Sequence, residues 1–210
     1  TTNKLLTLII IFSSLFSLQS QNKFSKRKIE NFKEEVSQLV EDDKKMTQVM
    51  IDKVFSFGEL GFQEFETSKY LGKILEENGF DVEYQISGIP TSWLATWSNG
   101  EGGPTIALGS DFDGVPSTSQ YPGVAYEKPV VEGAPGHGEG HNIGLPIIIT
   151  SAIAIKKIMI ENNINGKLVL WPGVAEEILG AKDWYVRDGY FDNVDMCIFT
   201  HVSTNMSTSW

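Results

Sequence analysis

The chain has 210 residues, of which 41% are hydrophobic and 11% aromatic, and its formal net charge is -10. This composition is typical of a globular protein and excludes a disordered chain. The acidic balance offers no basic surface for a phosphate backbone, so we expect no nucleic-acid partner. The single cysteine, Cys197, excludes an internal disulfide framework, and its apolar neighbours predict a buried side chain.

The N-terminal residues have the pattern of a secretory signal. Lys4 precedes an apolar run over residues 5 to 18, and polar residues follow. The run is shorter than the roughly 20 apolar residues of a membrane span. We therefore predict a signal peptide over residues 1 to 20, a secreted or periplasmic location and no stable membrane span after cleavage. An uncleaved signal anchor is the alternative.

The remaining chain comprises residues 21 to 210. Its first half alternates helical and strand-like patterns. Apolar residues at three- and four-residue steps predict a helix over residues 24 to 57, and a second helix over 64 to 78 ends before Gly79. Three strand-like runs follow. The turn between the second and third of them, "WSNGEGGP", is typical of a hairpin.

The second half begins with a long Gly- and Pro-rich loop over residues 111 to 144, a length that is often functional. An apolar helix that starts near Pro146 is expected to be buried in the protein. A strand, a helix beginning at Glu176 and closed by Gly189, and a last strand complete the pattern. Strands that alternate with helices predict an α/β fold, with a layered mixed sheet flanked by helices.

The segment "GHGEGH" contains two of the three histidines of the chain. In an extended segment, residues two apart point to one side, so His137, Glu139 and His141 could share a face. Imidazole and carboxylate groups are good ligands for zinc and similar divalent ions. The alternative is a glycine-rich surface loop with incidental polar residues.

Glu176 and Glu177 are adjacent and directly follow a predicted buried strand. Two close carboxylates repel each other unless a cation lies beside them. With a metal ion present, one carboxylate could bind the ion while the other takes a proton from its water. The alternative is an acidic helix start, which the helix dipole favours.

The remaining candidates also follow predicted strands. His201 ends the last strand, and Asp111 and Asp113 follow an earlier strand at a two-residue step. Ligands of α/β sheets gather at the carboxyl ends of strands. A structural histidine and ordinary turn chemistry are the alternatives. Together, the clusters include every histidine of the chain and indicate a metal hydrolase site.

Several motifs in the same order resemble the M20 family of metallopeptidases and amidohydrolases, within it the aminobenzoyl-glutamate hydrolase-like members. The resemblance covers residues 49 to 202 and implies a zinc-peptidase-like catalytic domain. One motif is similar to the family's G-H-G-C-G-H-N. The motifs are "FGELGFQEFETSKYLGKILEENGFDVE", "GIPTSWLATW", "IALGSDFDGVPSTSQ", "GAPGHGEGHN", "PGVAEEILGAKDWYVRDGYFDNVD" and "FTHV".

The resemblance implies a role for each matching residue. His141, Glu177 and His201 match metal ligands, and Glu176 matches the general base. Asp113 matches an acidic residue that orients a ligand histidine. His137 and Asp111 match no defined role.

Glu139 stands where many relatives of this branch have a cysteine ligand. We expect it to be a ligand as well. A carboxylate is harder than a thiolate, so both zinc and manganese remain candidates, as one or two divalent ions.

The implied activity is hydrolysis of an amide bond in a small substrate: an N-acyl amino acid, an aminobenzoyl-glutamate-like compound or a short peptide. Family members are longer, dimerise through an inserted smaller domain and return with a final ligand histidine. We therefore expect this sequence to be the N-terminal part of a catalytic domain whose full-length form is a homodimer. A non-catalytic binding protein that retains the fold is the alternative. A glycosidase is disfavoured, because sequence neighbours rarely flank a sugar bond.

Overall fold

The first part of the fold is helical. The computed structural model describes residues 24 to 205, 207 and 208, so the predicted signal peptide at residues 1 to 20 lies outside the described part. Three helices come first: α1 (Lys26–Asp42), α2 (Lys44–Phe57) and α3 (Phe65–Glu77). The prediction of one continuous helix over residues 24 to 57 is wrong in one respect, because the helix is interrupted at Asp43. Asp43 has φ -90° and ψ 7°, outside the helical range, and its side chain makes no capping hydrogen bond. Asp is a weak helix former, whereas the apolar periodicity continues on both sides.

A five-stranded mixed sheet forms the centre of the protein, in the order β1-β2-β4-β3-β5. β3 pairs in parallel with both β4 and β5, while β1 and β2 form the antiparallel side. The predicted mixed sheet is therefore confirmed. The strands are β1 (Asp81–Tyr84), β2 (Trp93–Asn99), β3 (Thr105–Asp111), β4 (Gly166–Gly173) and β5 (Met196–Thr200).

The hairpin predicted between β2 and β3 is wrong, because β4 lies between these two strands. Asn99 at the end of β2 pairs with Gly166, and Thr105 at the start of β3 pairs with Lys167. The turn is where the sequence indicated. Turn-forming residues specify a change of chain direction, but they do not specify which strands pair. The strand that inserts between β2 and β3 is β4, which begins at Gly166, 60 residues after Ile106 in β3.

The apolar helix α4 (His141–Glu161) packs between the sheet and the first two helices. It begins at His141, before the predicted start near Pro146, which lies inside the helix. Among the described residues it is the one helix long and apolar enough to cross a membrane, but 56% of its apolar window is buried inside the protein. The prediction of a buried core helix is confirmed.

The region after β4 differs most from the prediction. Instead of one helix over residues 176 to 189, there is a short 3₁₀ turn (Glu176–Ile178) and then α5 (Lys182–Arg187). Ala175, Leu179 and Ala181 all have positive φ and interrupt any continuous helix. The acidic pair is therefore not at the start of an α-helix, and the helix dipole does not account for it.

Cys197 is exposed, contrary to the prediction that it is buried. It lies on β5, which is at the edge of the described sheet and whose first four residues are all exposed. An apolar run indicates a strand, but it does not show whether the strand is central or at the edge.

Candidate metal centre

The carboxyl ends of β3, β4 and β5 bring the predicted site residues to one edge of the sheet. Asp111 is the last residue of β3, Glu177 lies four residues beyond the end of β4, and His201 directly follows β5. Because these strands are parallel, their ends meet at the same edge. His141, the first residue of α4, reaches this edge from the helical layer.

His141 is at the centre of two overlapping groups of potential ligands. Ligand atoms of Glu139, His141 and Glu177 lie within 4.8 Å of one another, and so do those of Asp111, His141 and His201. The Nε2 atoms of His141 and His201 are 3.0 Å apart, and His201 Nε2 is 3.9 Å from Glu139 Oε2. The other three residues predicted as ligands thus all lie close to His141.

Asp113 contacts two of these four residues. Its buried carboxylate has Oδ1 3.4 Å from His141 Nδ1, and its Oδ2 accepts a hydrogen bond of 3.0 Å from the Glu177 backbone N–H. The Asp113 carbonyl oxygen lies 3.0 Å from His141 Nδ1. A proton on Nδ1 that is shared with Asp113 directs the free Nε2 of His141 toward the other ligands. The orienting role that the resemblance implied for Asp113 stays a prediction, and these are the contacts that it requires.

The charges around His141 are unbalanced in favour of carboxylates. Burial lowers the pKa of His141, but the hydrogen bond to Asp113 and the charges of Asp111 and Asp113 outweigh it, so that the pKa lies above its usual value. Burial, followed by the charge of Glu139, raises the pKa of Glu177. Crowded acids of this kind are typical of functional sites.

One buried oxygen supports a fit to a cation. In the part of the chain that the structure describes, Glu177 Oε1 is buried without a hydrogen-bond donor. Glu177 Oε1 lies 3.8 Å from His141 Nδ1, the nitrogen that also faces Asp113, and the Glu177 carboxylate belongs to one of the two groups of potential ligands. Buried acceptors normally have a partner, because leaving them unpaired costs free energy. A divalent ion held by the nitrogen and oxygen ligands would satisfy Glu177.

Lys182, which the sequence analysis did not single out, pairs with Asp111. Its Nζ is 2.8 Å from Asp111 Oδ1 and 4.5 Å from the centre of the Phe199 ring. Burial raises the pKa of Asp111, while the hydrogen bond and charge of Lys182 lower it. The sequence shows a lysine five residues after Glu177 in the same motif. Nothing in the local sequence indicates that its side chain contacts Asp111 at the end of β3.

Glu176 belongs to neither group of ligands and lies at an open part of the site. It lines a surface cleft of about 230 Å³ together with Leu179, Gly180, Lys182 and Asp183. In addition to burial, its charge raises the pKa of both Asp111 and Glu177, which places it near the cluster. A carboxylate in such a position is accessible to solvent and to a substrate.

His137 does not share a face with Glu139 and His141, so the expected alternation along "GHGEGH" is wrong. Its Nε2 lies 3.1 Å from the Val54 carbonyl oxygen, and burial lowers its pKa to about 4. The segment is a turn, in which the Gly140 N–H donates to the His137 carbonyl, and Gly140 has φ 78°. The turn redirects the chain into α4 and separates the two histidines.

Comparison with known proteins gives relatives of one kind. The sequence matches no protein-family model. It is 31% identical over 166 residues to one of the subunits of p-aminobenzoyl-glutamate hydrolase from Escherichia coli, covering 79% of this chain and 34% of that protein. It is 32% identical over 139 residues to hippurate hydrolase of Campylobacter jejuni, covering 65% of this chain and 33% of that protein. The chain thus spans about a third of the length of these relatives.

The fold is shared with a crystal structure from Bacillus subtilis described as a dinuclear metal-binding peptidase of the M20 family. The TM-score is 0.64 with 24% sequence identity, over 77% of this chain and 44% of that one. This likeness shows the fold, and the curated relatives add the sequence relationship. The chain is thus related in sequence to amidohydrolases and shares its fold with a peptidase of the M20 family.

Proposed function

We propose that the full-length protein is a metal-dependent hydrolase that cleaves an amide bond in a small substrate. The observation that supports the proposal is the clustering of Glu139, Glu177 and His201 around His141, with Glu177 Oε1 buried and lacking a donor among the described residues. The relatives in Escherichia coli and Campylobacter jejuni are named for p-aminobenzoyl-glutamate and hippurate, which both contain an amide bond. The substrate classes we propose are N-acyl amino acids, aminobenzoyl-glutamate-like compounds and short peptides.

Glu139, His141, Glu177 and His201 would hold one or two divalent ions, either zinc or manganese. When bound, such an ion lowers the pKa of a water molecule and stabilises negative charge on the substrate carbonyl oxygen. The mixed nitrogen and oxygen ligands suit both metals. Asp113 fixes the His141 ring so that Nε2 faces the ligand cluster.

Glu176 is the proposed general base. This assignment is supported by its position directly before the predicted ligand Glu177, its absence from both ligand groups and its place in the lining of an open cleft. Glu176 accepts a proton from the attacking water and passes that proton to the leaving amine. A positioned acid or base of this type contributes about 10² to 10⁴ in rate.

The location and the oligomeric state belong to the same proposal. The apolar run over residues 5 to 18 supports a secreted or periplasmic protein. Homodimer formation by the full-length protein rests on the family resemblance alone. Detection of the mature N-terminus tests the location. Size-exclusion chromatography with light scattering measures the oligomeric state.

The decisive experiment uses the full-length protein. Wild type and Glu176→Gln are analysed for bound metal, and their turnover is measured with p-aminobenzoyl-glutamate, hippurate and dipeptides. We expect both proteins to contain zinc or manganese, and the variant to lose about 10² to 10⁴ in kcat. Normal turnover by Glu176→Gln would refute the base assignment. A wild type that binds these compounds without hydrolysing any of them would instead support a binding protein.

A further inference from the structure

Glu64 is a fully buried glutamate that lies outside the ligand cluster. Glu64 directly precedes α3, and none of its surface is accessible to solvent. Oε2 accepts a hydrogen bond of 2.8 Å from the Thr91 hydroxyl, and Oε1 accepts one of 2.9 Å from the Ala175 backbone N–H. Each carboxylate oxygen therefore has its own donor, and one donor directly precedes Glu176.

Ala175 has an unusual backbone conformation. With φ 54° and ψ 40° it is left-handed, a state that a residue with a Cβ rarely adopts unless its surroundings enforce it. Its carbonyl oxygen accepts hydrogen bonds from Ile178 and Gly180 and so closes the turn on itself. These internal bonds shape the turn but do not fix its direction relative to the sheet. Two other bonds link the turn to the rest of the protein: the Glu177 N–H donates to Asp113 Oδ2, and the Ala175 N–H donates to Glu64 Oε1.

The segment over residues 58 to 64, which connects α2 to α3, lies beneath both acidic turns of the site. The Glu59 carbonyl accepts a hydrogen bond of 2.7 Å from the Gly114 N–H, directly after Asp113. Gly61 is so close to the other turn that an added Cβ would lie 2.9 Å from Ala175 Cα and 3.3 Å from Asp113 Oδ2. One short segment thus contacts the turn of Asp113 and the turn of the glutamate pair.

We propose that Glu64 is a positioning residue that fixes the Glu176–Glu177 turn against His141 through the Ala175 amide. This inference rests on the proposed function, because it assigns Glu64 a part in that site. Glu64 contacts neither the predicted ligands nor the cleft; it acts through the backbone. Thr91 holds the second oxygen and so fixes the orientation of the carboxylate.

A purely structural role explains Glu64 less well. Burial raises its pKa, and the hydrogen bonds from Thr91, from Ala175 and from its own backbone offset this only in part. An apolar side chain of similar size would fill the same space without desolvating a carboxylate. What an apolar residue does not supply is an acceptor for the Ala175 N–H, one of the two bonds that link the turn to the rest of the protein.

The test compares Glu64→Gln with Glu64→Leu in the full-length protein. The Gln carbonyl can accept from Ala175 while its amide donates to the Thr91 oxygen, so both contacts are kept. Leu fills a similar volume and provides neither contact. Leu75→Ala is the control for lost stability. Leu75 is a buried residue of α3, the helix that begins directly after Glu64, and it has no polar side-chain atom.

Three quantities are measured: hydrogen exchange of the peptide over residues 173 to 180 in metal-free protein, the Kd for zinc and manganese, and kcat and KM separately. For Glu64→Leu we expect about tenfold faster exchange in that peptide and about 10- to 100-fold weaker metal binding, as for other residues that support ligands indirectly. Glu64→Gln should stay within about threefold of wild type in each quantity. Leu75→Ala should lower stability and leave the metal Kd unchanged.

Unchanged exchange in Glu64→Leu would overturn the inference, and so would equal losses in Glu64→Gln and Glu64→Leu. Equal weakening of metal binding by Leu75→Ala would assign the effect to general destabilisation and also overturn it. If wild type binds no metal, the proposed function fails, whereas the exchange measurement on metal-free protein still decides whether Glu64 fixes the turn.

Discussion

The Nε2 atoms of His141 and His201 lie 3.0 Å apart, and the two rings meet edge to face at 83°. These residues differ greatly in their environment, because the side chain of His141 is 3% exposed and that of His201 is 41% exposed. Two imidazole nitrogens directed at each other form a site that one cation can share. We therefore expect His141 to contribute to stability as well as to metal binding, and His201 to contribute to metal binding alone.

The first prediction follows from this difference. In metal-free protein, His141→Ala should lower the free energy of unfolding by about 1 to 3 kcal/mol, because the buried Asp113 carbonyl loses its partner. His201→Ala should change it by less than about 0.5 kcal/mol. Both variants should bind zinc at least about tenfold more weakly. Denaturant unfolding and metal titration measure the two effects, and tight zinc binding by His201→Ala would remove it from the ligand set.

Glu139 allows a test of metal preference. It is exposed in the described structure and is replaced by cysteine in the related motif, so Glu139→Cys should fold normally. A thiolate is softer than a carboxylate, and we expect the ratio of zinc to manganese affinity to rise about tenfold or more. Competition between the two metals measures this ratio.

Glu132→Cys is the matched control, since Glu132 is an exposed glutamate of the same loop and belongs to neither ligand group. If both cysteine variants shift the ratio equally, Glu139 is not a ligand.

The ion pair between Lys182 and Asp111 should stabilise the fold. Lys182→Met keeps most of the side-chain length and leaves Asp111 buried without its cation. Because Lys182 is 38% exposed, solvent screens the pair, and we expect a loss of about 1 to 3 kcal/mol instead of the larger loss of a fully buried pair. Arg187→Met, which breaks the exposed pair with Asp188, should change stability far less, because solvent screens exposed pairs. Equal effects of both substitutions in thermal unfolding would contradict the prediction.

Glu64 predicts a specific dependence of stability on pH. Burial raises its pKa above the ordinary value of 4.5, so the folded protein retains this proton to a higher pH than the unfolded chain does. Its contribution to stability therefore falls as the pH rises from 4.5 through the folded pKa, with a slope of at most about 1.4 kcal/mol per pH unit. Glu64→Gln removes this fall, and its stability relative to wild type should increase with pH over that window.

Urea unfolding at several pH values measures the difference. Leu75→Ala removes no titratable group and should lower the whole profile in parallel. A constant difference between Glu64→Gln and wild type at all pH values would show that the pKa of Glu64 is the same in both states.

Much of the fold followed from short-range patterns. Strands were recognisable from their apolar runs, and the helix ending before Gly79 from its periodicity and its glycine, which has φ 73°. The order of the strands was not recognisable from the sequence, because the insertion of β4 between β2 and β3 depends on packing of the whole sheet. Asp43 and Cys197 show the same limit, since local sequence records neither a one-residue helix break nor the edge of a sheet.

The candidate site was predictable where a residue follows a strand. The parallel order of β3, β4 and β5 places Asp113, Glu177 and His201 at one edge, as the pattern of strands indicated. Glu64 and Lys182 were missed because their partners, Ala175 and Asp111, are distant in sequence. Their roles depend on tertiary contacts that no spacing rule describes.

The left-handed residues beside the glutamate pair have a consequence for evolution of the protein. Ala175 and Leu179 each hold a conformation that costs a non-glycine residue about 1 to 2 kcal/mol. Glycine at either position would relieve this strain and would also let the turn sample other shapes. Selection for heat resistance alone should therefore enrich glycine there, whereas selection for turnover should reject it.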